Sequence, residues 1–90
     1  MEDNKEKLIT ELFNIVKETL NMYSIRADIT NGQNFVDIHD SKNFTTNDSQ
    51  GIRIRFEKFD NKYKLTQYSI NKQYDANIEI INSLIKKIVT

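Results

Sequence analysis

The 90-residue chain contains no cysteine, no proline and no tryptophan, and only two glycines, Gly32 and Gly51. Without cysteine there is neither a disulfide framework nor a thiolate metal site, so stability has to come from packing. Two glycines standing far apart cannot form a glycine-rich phosphate loop. There is also no excess of charge of either sign, because 13 Lys+Arg balance 13 Asp+Glu. A protein that holds nucleic acid mainly by neutralising phosphates would carry a basic surplus. No apolar run approaches the length of a membrane span. The start, "MEDNKEKLITEL", is acidic where a signal peptide would be basic and then apolar. A cytosolic protein is the expectation.

Isoleucine, asparagine and lysine dominate instead, with 13, 11 and 10 residues. Their codons are AT-rich, which points to an AT-rich bacterium or its phage. Lysine is then the default cation, and the placement of the three arginines, Arg26, Arg53 and Arg55, carries more information. The length suits a single domain over residues 1–90, near the lower limit for independent folding.

Residues 4 to 22 read as a helix, with Asp3 as N-cap and Glu6 as its capping-box partner. Leu8, Leu12, Ile15 and Thr19 form one stripe, and Ile9, Phe13, Val16 and Leu20 lie beside it. That is the broad apolar band of a helix lying on a sheet. In "YSIRADITNGQNFVDIHD", Asn31-Gly32 is the preferred pair for a two-residue type I′ turn. A turn there places Ile25 opposite Ile38 and Ala27 opposite Val36 on the inner side. Outside, Arg26 then faces Asp37, Asp28 faces Phe35 and Ser24 faces His39.

The stretch "GIRIRFEKFDNKYKL" alternates apolar and charged residues and then turns at Asp60-Asn61. Phe56 meets Leu65 inside, while Glu57 meets Lys64, Arg55 meets Thr66 and Arg53 meets Tyr68 outside. The far inner pairs, Ile54 with Gln67 and Ile52 with Ser69, fit poorly. A bulge near Gln67 would swing Tyr68 and Ile70 inward instead. Between the hairpins, "DSKNFTTNDSQG" is a polar connection of about a dozen residues, long for a compact domain, with Phe44 its one aromatic. The final segment has Ile78, Ile81, Leu84, Ile85 and Ile88 at helical spacing, with Asp75 or Asn71 as the cap.

The order is α-β-β-β-β-α. A two-layer α+β domain follows, with a four-stranded antiparallel sheet of two hairpins and both helices on one face. The helix–strands–helix order resembles double-stranded-RNA-binding domains in topology alone. A fourth strand and the acidic "DANIE", where that family presents lysines to phosphates, set this chain apart.

The other sheet face is left open. It would display Arg26, Phe35, His39, Arg53, Arg55, Lys64 and, with no bulge, Tyr68. Much of this set can be read as solvated cross-strand pairs: Arg26 with Asp37, Glu57 with Lys64, and Arg53 over Tyr68. Arg55 is left without a partner and Phe35 without a reason to be wet, and arginine and aromatic residues concentrate at binding hot spots. His39, the one histidine, shares its strand face with Asp37, but a catalytic or metal role needs further groups converging there. The expected function is therefore non-enzymatic protein binding through the open face, as a small inhibitor, immunity protein or adaptor, or by self-association. Nucleic-acid binding through the same face and Lys58, Lys62 and Lys64 is the alternative. No cofactor, metal, membrane or small-molecule substrate is implied.

Overall fold

The computed structural model describes residues 3–40 and 51–90. Helix α1 spans Asp3–Asn21. Strands β1 (Ala27–Asn31), β2 (Phe35–Asp40), β3 (Ile52–Phe59) and β4 (Lys62–Ile70) follow, and a 3₁₀ segment at Lys72–Asn77 leads into α2 (Ile78–Val89). The four strands form one antiparallel sheet in sequential order. The α-β-β-β-β-α order expected from the pattern is the order observed. Asp3 as a cap and Phe44 within the connection at 41–50 lie outside the described side chains. No helix among the described residues is long and apolar enough to cross a membrane.

The core forms where the helix stripes meet the inner sheet face. Ile9, Leu12, Val16 and Leu20 of α1 pack with Ile81, Leu84, Ile85 and Ile88 of α2 over Val36, Ile38, Ile52, Ile54 and Phe56. Each such side chain contributes about 1.5–3 kcal/mol by leaving water. The helices run antiparallel. Lys5 Nζ donates to the Lys87 carbonyl at 2.7 Å, closing one end. At the other, Asn77 Nδ2 donates to Thr19 Oγ1 at 2.8 Å, and that hydroxyl donates to the Ile15 carbonyl at 2.8 Å. This chain of bonds explains how Thr19 can be buried in an apolar stripe.

Helix α1 ends in a Schellman motif. Ile25 N donates to Leu20 O at 3.0 Å, Ser24 N donates to Asn21 O at 3.0 Å, and Ser24 is left-handed with φ 60°. Ser24 and Ile25 are thereby excluded from the sheet, and the first hairpin shifts accordingly. Asn31, not Ala27, faces Val36, and Ile29 faces Ile38. Gly32 N donates to Phe35 O at 2.9 Å, so Gln33 and Asn34 form the turn, and no glycine has positive φ. The Asn31-Gly32 type I′ turn expected from the sequence is therefore corrected. The new register keeps the same residues inside, because the slip is an even number of positions. It also gives Ile29 an apolar partner in place of Asn34.

The second hairpin turns at Asp60 and Asn61, both with positive φ (50° and 65°), as a type I′ turn requires. Phe56 faces Leu65 and Glu57 faces Lys64 as expected. The register then breaks: Arg55 faces Gln67 and Ile54 faces Tyr68. Thr66 is the extra residue of a bulge, its hydroxyl donating to the Arg55 carbonyl at 3.3 Å. Asn71 caps the 3₁₀ segment, its side chain accepting from Gln73 N at 3.0 Å. Asp75 lies inside that segment and caps nothing, and α2 begins after Asn77. Tyr74 is buried there, edge-on to Tyr23 with ring centroids 4.9 Å apart.

Candidate functional site

Strand alternation sends Phe35, Asp37 and His39 of β2 to the outer face, together with Arg53, Arg55, Glu57 and Phe59 of β3. No described helix packs on this face. The pairing of β2 with β3 sets Asp37 opposite Arg55 and His39 opposite Arg53. Asp37 is the centre. Its side chain is 5% exposed and takes Arg53 Nη2 at 2.9 Å and Arg55 Nη1 at 3.1 Å, both on Oδ2. Arg53 Nε adds a 3.4 Å bond to Oδ1, so this guanidinium grips the carboxylate with two nitrogens. Arg55 also reaches Glu57 Oε2 at 3.4 Å, and its guanidinium lies 4.2 Å from the centre of the Phe35 ring.

Gly32 lies directly beneath that ring. A Cβ on Gly32 would come within 1.9 Å of Phe35 Cε1, so only glycine leaves room for the ring there. The result is a stack in which Gly32 supports Phe35 and Phe35 supports Arg55. Both arginines are thus held in place, yet their side chains keep 23% and 28% exposure.

Several site expectations change. Arg26 does not face Asp37: it precedes β1, is 78% exposed at its side chain, and pairs with Asp28 at 3.3 Å. Arg55 has partners, contrary to expectation, because Asp37 and Phe35 of β2 and Glu57 of its own strand supply them, not β4. Arg53 turns to Asp37 and not to Tyr68. Tyr68 leaves the face altogether. The bulge directs it to the helix side, where its hydroxyl donates to Asn82 Oδ1 at 2.7 Å. Burial raises the Tyr68 phenol above the ordinary 10.0, and the Asn82 hydrogen bond offsets part of that rise. Phe35 faces Glu57 rather than Asp28.

His39 belongs to the outer face by alternation but is only 8% exposed, with Nδ1 3.1 Å from the Asp40 carbonyl. A carbonyl only accepts, so that nitrogen carries the hydrogen. The bond that Nδ1 makes therefore goes to the Asp40 backbone and not to the Asp37 carboxylate. Lys64 keeps its register with Glu57, while the Glu57 carboxylate pairs with Arg55. Lys58 points to the helix side over Tyr63, 5.6 Å from its ring centre, and lines a groove of about 490 Å³ beside α1.

Phe59 also belongs to the face, where the sequence reading did not name it, and so does Lys62, which it named only for nucleic-acid binding. They face each other next to the turn, and Phe59 is 56% exposed. Strand alternation from Arg53 onward already placed Phe59 there. Gly32 was missed as a support because the turn was set in the wrong place. Among the described residues, no group of three His, Cys, Asp or Glu side chains is arranged to hold a metal. Comparison with known proteins finds no matching family model, no similar curated protein and no similar solved structure.

Proposed function

We propose that the chain is a non-enzymatic protein-binding module that meets its partner with the outer face of the sheet. The observation that supports this reading is the pair of partly exposed arginines, Arg53 and Arg55, held by Asp37 and Phe35 at the middle of that face. An arginine already held in one rotamer loses little side-chain entropy on binding, and arginine is among the residues that dominate interface energetics. Nucleic-acid binding is the weaker reading, because Asp37 and Glu57 offset both guanidinium charges and Lys58 lies on the opposite side. A small cytoplasmic inhibitor, immunity protein or adaptor of an AT-rich bacterium or phage fits the size, the balanced charge and the missing cysteines.

Affinity capture from source cells with three baits tests the proposal: the native chain, Arg55→Ala, and Glu11→Ala on the exposed side of α1. Arg53 keeps Asp37 paired in the Arg55→Ala chain, so the fold survives the change. A protein retained by the native and Glu11→Ala baits but weakened about 30-fold or more by Arg55→Ala is the expected result, equivalent to about 2 kcal/mol. A nuclease-sensitive eluate, or capture indifferent to Arg55, overturns the reading.

A further inference from the structure

We infer that the partner surface is acidic with an apolar residue beside its carboxylates, and that it docks at the β3–β4 end of the outer face. This rests on the protein-binding reading and concerns which chemistry the face accepts. The charges are unevenly spread along it. At the β1 edge, Arg26 and Asp28 close on each other. Toward β3 and β4, four cations, Arg53, Arg55, Lys62 and Lys64, stand against Asp37 and Glu57 on the strands and Asp60 in the turn.

Both strand anions make their ion pairs with the arginines, although Glu57 stands opposite Lys64 in register. Lys62 and Lys64 are exposed and have no ion-pair partner among the described residues. Beside them stands Phe59, opposite Lys62 and more than half exposed. Arg55 to Phe59 spans about 14 Å along β3, the reach of four or five residues of an extended partner. An exposed aromatic side chain with Lys62 opposite it and Lys64 further along the same strand suits a segment that alternates carboxylates with an apolar side chain. A second copy of this chain would set the same lysines against each other, so self-association through this end is disfavoured.

Random peptides displayed on phage are selected against the full native chain at near-physiological salt. Bound peptides are then mapped by amide and side-chain NMR shifts. The expected result is enrichment of Asp and Glu next to an aromatic or aliphatic residue, with shifts at Arg55, Phe59, Lys62 and Lys64. Lys62→Glu/Lys64→Glu alters two exposed side chains and leaves folding intact, which the NMR spectrum verifies. It weakens those peptides at least tenfold, and exchanging their carboxylates for lysines restores binding to the doubly substituted chain.

Neutral or basic peptides mapping to the same face overturn the acidic partner and leave the protein-binding face standing. Peptides mapping to α1, α2 or the groove beside Lys58 overturn both, and so does failure to enrich any sequence. A single-stranded oligonucleotide that binds through Lys62 and Lys64 where no peptide does also overturns both, in favour of nucleic acid.

Discussion

Asp37 carries an unusual share of the outer face for one side chain. It is nearly buried on a face that strand alternation assigns to solvent, and it holds two arginines from the neighbouring strand. Removing a carboxylate that neutralises two guanidinium groups is costly, whereas removing either arginine leaves the other pair intact. The same economy applies to Gly32, whose missing side chain is what Phe35 rests on. Gly32→Ala has two opposed effects. A stiffer unfolded chain stabilises by about 0.4–1 kcal/mol, while displacing the Phe35 ring costs about 1–3 kcal/mol. We expect net destabilisation of about 1–2 kcal/mol in urea unfolding, with a changed ring-current shift at the Arg55 guanidinium. A stabilised variant with an unmoved Arg55 resonance would show that the ring is not confined by Gly32.

At the scale of elements, the bulge at Thr66 decides which residues of β4 reach the core. Below it, Tyr63 and Leu65 face the helices; above it, Tyr68 and Ile70 do. A two-residue period cannot do this without an extra residue, because an unbroken strand would bring Gln67 and Ser69 inward. Deleting Thr66 restores the unbroken register and turns Tyr68 and Ile70 to solvent. The expected loss is about 2–4 kcal/mol, scaled down from full burial of two large side chains because both are partly exposed here. Thermal unfolding measures it, and an unchanged midpoint would mean that the strand re-forms its bulge elsewhere. Helix α1 shows the same dependence of one element on another, since its Schellman cap consumes Ser24 and Ile25 and so determines where β1 can begin.

Across the whole molecule, the sheet and the helix layer are joined by apolar contact and by a few polar links, Tyr68 to Asn82 among them. Tyr68 titrates above the ordinary value because burial disfavours the phenolate. The folded state therefore prefers the protonated phenol. Its contribution to stability is fully present below pH 10 and is lost as pH rises through the higher folded-state value. In chemical denaturation between roughly pH 9 and 12, the native chain should lose stability more steeply than Tyr68→Phe. Every other ionisable group is common to both proteins, so the difference between the two curves isolates Tyr68. Parallel curves would count against the link.

Local chemistry determined most of the elements. The apolar band from Leu8 to Leu20, the stripe from Ile78 to Ile88 and the alternation in Ile52–Glu57 each have one period, and a period names the element and its buried side. Asp60-Asn61 determined a turn and with it the near half of a register, because both residues tolerate positive φ. Partners could not be read in the same way. Sliding one strand past another by an even number of residues leaves both faces unchanged, so the pattern alone could not choose between Ala27 and Asn31 as the neighbour of Val36. The helix cap made that choice. Pairing β2 with β3 then brought Asp37 between Arg53 and Arg55, side chains 16 and 18 residues away in the chain. Which charges answer one another on this face was decided only when the two hairpins met.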